Sequence, residues 1–157
     1  MPYRVREKVL ETYRQTAETY DEGVSERLRA SRWGIESLTG MLIREMNVPK
    51  NPVALDIACG MGLSTFSLVD YLGKGNFHGI NLSPDMVLKA VENADKLEYD
   101  IEFREGDVEK LPYPDNVFNI AICNMSFQFF PDKLSALKET HRVLTPDGRM
   151  GLSLIHI

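Results

Sequence analysis

The sequence predicts a doubly wound α/β sheet preceded by a helical N-terminal extension. Three observations carry this. From Val53 onward short apolar runs alternate with longer amphipathic ones, and most of the short runs are continuously apolar. The stretch VALDIACGMGLSTFSL, residues 53–68, then passes from apolar residues through an aspartate and a glycine pair into an amphipathic segment. Continuously apolar strands are buried on both faces, as in a parallel sheet covered by helices.

At 157 residues, 43% of them hydrophobic, the chain suits one structural unit with a single core. The expected organisation is a helical cap over residues 1–50 and an α/β core over residues 51–157. The net charge of −5 is unevenly placed: residues 1–50 carry nine Lys/Arg against eight Asp/Glu, and residues 51–157 nine against fifteen. An acidic body argues against nucleic acid as a partner, because affinity for a phosphate polymer comes from basic surface. Cys59 and Cys123 have neither metal-site spacing nor disulfide density, so a reduced, cytoplasmic protein is expected. No apolar run approaches ~20 residues and no charged-then-apolar leader opens the chain, so neither a membrane span nor export is expected.

The elements follow in order. Val5, Val9 and Leu10, then Tyr13, Ala17 and Tyr20, recur at helical spacing. Beyond Asp21-Glu22-Gly23 a second pattern runs through Leu28, Trp33, Ile35, Leu38, Leu42 and Met46, until Pro49 and Pro52 end it. VALDI predicts a buried strand, LSTFSLVDYL a helix closed by Gly73, and NFHGINL a second strand. Ser83-Pro84 starts the next helix, since serine caps free amides and proline suits the first helical position. Its apolar face is expected to hold Met86, Val87, Ala90, Val91, Ala94 and Leu97. IEFREGD and VFNIAICN predict the third and fourth strands. KLSALKETHRVL predicts a helix that stops before Thr145-Pro146-Asp147-Gly148, after which RMGLSL begins a fifth strand.

In such sheets the ligand crevice lies beyond the carboxyl ends of the strands, where the strand order reverses. With the first strand central, that edge comprises Asp56 to Gly62 and Cys123 to Gln128. A dinucleotide loop requires G-x-G-x-x-G, and here Thr65 takes the third glycine's place; the lysine of a G-x-x-x-x-G-K-[ST] phosphate loop is absent too. What remains is a carboxylate four residues before the first glycine, beside loop amides. That arrangement suits a ligand with a cationic amine and an anionic carboxylate rather than a pyrophosphate. Taken alone, Gly60 and Gly62 are equally well explained by a tight strand-to-helix turn; Asp56 shifts the balance towards a ligand.

LDIACGMG resembles the first motif of class I S-adenosylmethionine-dependent methyltransferases. The similarity continues in order through HGINLSPDM, REGDVEKLPYPDNVFNIAIC and ALKETHRVLTPDGRM. The resemblance implies a Rossmann-like sheet and S-adenosyl-L-methionine as cofactor. It implies that Asp56, Gly60 and Gly62, with the backbone of Ala58 and Cys59, surround the methionine part. Asn81 then meets the ribose hydroxyls, where the family usually has an acidic residue, and Leu82 packs beside the adenine. Asp107 accepts from the adenine amino group, Val108 offers its amide, and Asn124 lies near the cofactor's amine or carboxylate. TYRQTAETYDE resembles an aromatic-bearing N-terminal helix over the cofactor, which makes Tyr20 a candidate contact; otherwise Tyr13 and Tyr20 are helix-face core residues. Asn119 stands where the family commonly has Phe-Asp, and Asp147 interrupts the usual Pro-Gly-Gly turn.

A sulfonium already activates its methyl group, so such a protein mainly aligns the acceptor, and an acid or base is needed only where the acceptor must lose a proton. The resemblance therefore implies no universal catalytic residue. A small or apolar methyl acceptor is expected, and CNMSFQFF is similar to members acting on acyl-carrier-bound acids and on quinone precursors. Phe127, Phe129 and Phe130 are expected to pack or to line an apolar wall, Ser126 and Gln128 to face the crevice, and His78 and His141 to be structural or surface groups. No metal site is expected.

Family members usually continue past the fifth strand, and an unfinished sheet edge is expected to favour self-association. The tail LSLIHI is similar to a translation of the terminal sequence of a transposon used to prepare sequencing libraries, so residues 152–157 are expected to be read-through. Three functions stay open: a methyltransferase or its cofactor-binding part; a non-catalytic module that binds the nucleoside or self-associates; and, most distantly, a dehydrogenase.

Overall fold

The structure, a computed structural model, describes residues 35–154 together with residues 7, 10 and 11. Tyr13, Tyr20 and most of the expected helical cap lie outside the described residues, as do residues 155–157.

Helix α1 (Ile35–Glu45) leads into strand β1 (Val53–Ile57), helix α2 (Leu63–Leu72), strand β2 (Asn76–Asn81) and helix α3 (Pro84–Leu97). Strands β3 (Ile101–Glu105) and β4 (Phe118–Asn124) follow, then a 3-10 turn (Phe127–Phe129), helix α4 (Lys133–Val143) and strand β5 (Leu144–Ser153). The five strands are parallel in the order β3-β2-β1-β4-β5. The chain winds outward from β1 to β3 and returns to β4 on the other side of β1. The predicted doubly wound sheet is found, with β1 central and its reversal point between β1 and β4. Among the described residues no helix is long and apolar enough to cross a membrane.

Alternation along the strands divides the core between two faces, because successive side chains of a strand point to opposite sides. On one face Ala54, Phe77, Ile120 and Ile122 pack with Met46 and Leu68, against Leu42 and Ile43 of α1 and Val69 and Leu72 of α2. On the other, Leu55, Ile57, Ile80, Phe118, Ala121 and Cys123 pack with Val143 of α4 and with Leu111 and Tyr113 of the β3–β4 loop. Gly151 lets α1 lie close on β5: a Cβ there would stand 3.1 Å from Met46 Sδ and 3.2 Å from Leu42 Cβ. Asn119 ties the sheet centre together, its Oδ1 accepting from the Val53 amide at 2.7 Å.

Helix α3 starts as expected, with Ser83 Oγ accepting from the Met86 amide and Pro84 at the first position. Its buried side is narrower than the periodicity predicts. Met86, Ala90 and Ala94 are buried, whereas Val91 and Leu97 stand exposed at 38% and 52%. Val91 lies off the stripe formed by Met86, Ala90 and Ala94, and Leu97 is the last residue of the helix. Asn93 turns inward and donates to the Met61 carbonyl.

Strand β5 also differs from expectation. It begins at Leu144, directly after α4, and pairs there with Phe118; the next partners are Ile120 and Arg149. The Thr145–Gly148 stretch thus interrupts the pairing inside the strand instead of preceding it, and the chain folds back there: a Cβ on Gly148 would stand 2.8 Å from the Thr145 carbonyl oxygen.

Candidate functional site

The crevice at the carboxyl ends of β1 and β4 is built around the loop Ala58–Gly62. Positive φ angles recur at Ala58 (59°), Gly60 (54°) and Gly62 (93°). The Cys59 amide, between the first two, donates to the Ile80 carbonyl at 3.0 Å and so extends the β1–β2 ladder into the loop. The Gly62 amide donates back to the Cys59 carbonyl at 3.0 Å, closing a turn on which α2 starts. Gly62 caps α2 without any side-chain acceptor. The helix entrance therefore presents backbone N–H groups, favourable to an anionic group.

The two glycines do different work. A Cβ on Gly62 would lie 2.7 Å from the Phe66 ring and 3.0 Å from Phe103, so its bareness serves packing. A Cβ on Gly60 would meet none of the described residues within 4 Å. Among the described residues the space beside Gly60 is open, and the left-handed backbone, not packing, is what favours a glycine there.

Asp56 sits under this loop, 1% exposed, on the sheet face that α2 covers. Its Oδ2 accepts from Thr65 Oγ1 at 2.7 Å. Burial lifts its pKa from 3.8 to about 7 against the opposing pull of that hydrogen bond. Burial is a cost for an unpaired carboxylate, and a cationic group nearby would relieve it. Burial likewise raises the Cys59 thiol, and raises that of Cys123 to about 12, so both sulfurs stay protonated and inert.

Asn124 ends β4 and joins four elements. Its Nδ2 donates to Thr39 Oγ1 of α1 at 2.8 Å and to Ser64 Oγ of α2 at 3.0 Å, while its Oδ1 accepts from Ser153 Oγ of β5 at 3.0 Å. Ser153 Oγ accepts in turn from the Met125 amide at 3.1 Å. Asn81 closes β2, and its Oδ1 accepts from the Ser83 amide at 2.9 Å, leaving Nδ2 with no partner among the described residues. Leu82 beside it is half-buried. Asp107 opens the β3–β4 loop in a side-chain-closed turn, Oδ1 accepting from the Glu109 amide at 2.9 Å; Val108 packs partly against the core.

The structure thus places Asp56 near the end of β1 and Ala58, Cys59, Gly60 and Gly62 in the loop that follows, and sets Asn81 and Asn124 at the ends of β2 and β4, the strands on either side of β1. Asp107 and Val108 follow the end of β3, and Tyr20 lies outside the described residues. Ser126 Oγ is turned to the Asn124 carbonyl, and Gln128 Nε2 to the Met125 carbonyl, with Gln128 Oε1 buried and unpartnered among the described residues. Phe127 and Phe130 pack edge to face, whereas Phe129 is half exposed. His78 lies edge-on to Tyr113 and Phe118, 3.4 Å from a Glu102 oxygen, and is held below its usual pKa chiefly by burial; His141 is exposed.

Thr39, Ser64, Thr65 and Ser153 support the site without having been singled out from the sequence. Their signal was faint: Ser64 and Thr65 are polar residues on the inward side of an otherwise apolar helix.

A doubly wound sheet with a glycine loop beyond its central strand, a buried carboxylate and an uncapped helix entrance has the architecture in which ligands are bound at the switch point. Residues 54–148 match the methyltransferase domain family, and the chain belongs to that family. A demethylmenaquinone methyltransferase of Bacillus licheniformis is 37% identical over 106 residues, covering 67% of this chain and 45% of that protein. An arsenite methyltransferase of Halobacterium salinarum is 35% identical over 101 residues, covering 63% and 26%. Among solved structures, a SAM-dependent methyltransferase from Aquifex aeolicus is similar with a TM-score of 0.68 at 25% identity, over 73% of this chain and 62% of that one. The chain spans less than half the length of the first two relatives.

Proposed function

We propose that this chain carries the cofactor-binding part of an S-adenosylmethionine-dependent methyltransferase acting on a small molecule. The observation that carries the reading is the space left open over Gly60 by the described residues, close in sequence to the buried Asp56 and the uncapped start of α2, within the matched family stretch. These groups fit a zwitterionic amino acid joined to adenosine. Asp56 would take the ammonium end, and an adjacent positive charge would favour its ionised form. The loop Ala58–Gly62 would hold the rest of the methionine part. Asn81, its Oδ1 already used by Ser83, offers Nδ2 to the ribose hydroxyls. Leu82 would flank the adenine, Asp107 would accept from its amino group, and the Val108 amide would donate to the ring. Asn124, with its side chain committed to Thr39, Ser64 and Ser153, would hold three elements in place around the amino-acid end, and Tyr20 would lie over the cofactor.

Bound S-adenosylmethionine supplies a methyl group already activated by its sulfonium. The chain's own task is then to orient the two reactants and exclude water, which can supply roughly 7–11 kcal/mol in favourable cases. Relatives named for demethylmenaquinone and for arsenite support a small acceptor. Because the chain covers under half of those relatives, a second reading is a cofactor-binding portion without a complete acceptor site.

Titration calorimetry with S-adenosylmethionine and S-adenosylhomocysteine, followed by turnover on a panel of quinols and arsenite, separates the readings. Binding with methyl transfer is expected. Binding without transfer favours the second reading, no binding sinks both, and affinity for a nicotinamide dinucleotide instead would make the chain a dehydrogenase.

A further inference from the structure

We propose that the Glu139–Arg142 pair of α4 sets the base preference of the pocket by gripping the loop that carries Asp107 and Val108. The inference rests on the S-adenosyl reading above and assigns positioning roles to two residues outside the cofactor-binding loops.

The β3–β4 loop contains neither helix nor strand. Its first turn, Asp107–Lys110, closes through the Lys110 amide on the Asp107 carbonyl at 3.0 Å and the Glu109 amide on Asp107 Oδ1 at 2.9 Å. The next residue, Leu111, is held by both of its backbone polar groups. Its amide donates to Glu139 Oε2 at 2.8 Å, and its carbonyl accepts from an Arg142 terminal nitrogen at 3.1 Å.

Arg142 also donates to the Tyr113 carbonyl, to Asp115 Oδ1 and, through two further N–H groups, to both oxygens of Glu139, each at 2.8 Å. All five guanidinium donors are thereby engaged, a planar fork that lysine cannot reproduce. The fork holds Glu139 below its ordinary pKa and Arg142 above its own. At the start of α4 the Asp132 amide donates to Glu109 Oε1 at 3.0 Å. Helix α4 thus anchors the loop immediately after Asp107 and again immediately beyond.

A carboxylate oxygen that already accepts one amide can accept a second donor, provided its direction is fixed. Fixing that direction is what distinguishes a base bearing an exocyclic amino group from one bearing a carbonyl. A fault in folding would weaken both nucleosides alike. A fault in positioning would weaken only the amino-bearing one.

The test measures affinity for S-adenosylhomocysteine and S-inosylhomocysteine by titration calorimetry in the full chain, Arg142→Lys and Glu139→Gln. Glu139→Gln removes one of the two acceptor oxygens that the guanidinium and the Leu111 amide share and leaves Arg142 its bonds to Leu111, Tyr113 and Asp115, so it preserves the fold if Arg142→Lys does not. The unaltered chain is expected to prefer the adenosyl ligand by roughly tenfold to a hundredfold, the range of one hydrogen bond to a charged group. Both variants should move that ratio towards parity while melting cooperatively. A folded Glu139→Gln chain with an unchanged ratio, or with both affinities reduced equally, overturns the proposal. Equal affinities in the unaltered chain overturn it as well, whereas no binding of either ligand overturns the S-adenosyl reading on which it stands.

Discussion

Thr65 Oγ1 donates a 2.7 Å hydrogen bond to Asp56 Oδ2, joining the end of β1 to the first turn of α2 where both residues are closed to solvent. The bond favours the carboxylate, yet burial outweighs it and raises the pKa from 3.8 to about 7. Below about pH 4 folded and unfolded chains both keep this proton. Between about 4 and 7 only the folded chain keeps it, so stability falls as pH rises through that window, by on the order of 4 kcal/mol. Urea unfolding at pH 5 and pH 8 should show about 2–3 kcal/mol of this loss in the unaltered chain, the part that falls between those two pH values, and a much smaller one in Asp56→Asn. Equal pH dependence in the two would mean that Asp56 is not desolvated. Thr65→Val should cost about 1–3 kcal/mol at pH 8 and less at pH 5, since it removes a bond that matters most to the ionised form.

The glycine pair yields a contrast between folding and binding. Gly62→Ala combines a φ of 93° with a Cβ 2.7 Å from Phe66, and should destabilise by about 2–4 kcal/mol. Gly60→Ala meets no neighbour among the described residues and costs the left-handed backbone, about 1–2 kcal/mol. Thermal melts should rank the two in that order. Calorimetry with S-adenosylhomocysteine should show that Gly60→Ala loses affinity although it remains folded; full retention of binding would remove Gly60 from the pocket.

Asn124 joins α1, α2 and β5 through Thr39, Ser64 and Ser153. Asn124→Leu deletes all three bonds and leaves hydroxyl groups in search of partners, for a loss of about 2–4 kcal/mol. Denaturant titration checks the magnitude. A loss below ~0.5 kcal/mol would mean that solvent replaces the network without penalty.

Among the described residues strand β5 lies at one edge of the sheet and pairs on one side, with β4. We propose that this edge pairs with a second copy of the chain. Light scattering on the chain should then show a mass that rises with concentration, and Met150→Pro, which removes a strand amide, should shift the population towards monomer. A constant monomer mass would exclude the pairing.

The order and type of the elements were legible because they are written locally. Continuous apolar runs marked β1, β2 and β4, Ser83-Pro84 marked the start of α3, and Asp56, Gly60 and Gly62 stand within seven consecutive residues of one strand-to-helix loop. The failure of the third dinucleotide glycine was legible too, although not its local reason, the hydrogen bond from Thr65 to Asp56. Only the tertiary structure decided that Val91 and Leu97 face outward, that Leu144 already belongs to β5, that Asn119 pins β1, and that Arg142 serves the loop after β3. Periodicity records which side of an element is apolar. It carries no record of which distant polar group that element will meet, and Asn124 reaches Thr39 across 85 positions only because α1 comes to lie over β4 and β5.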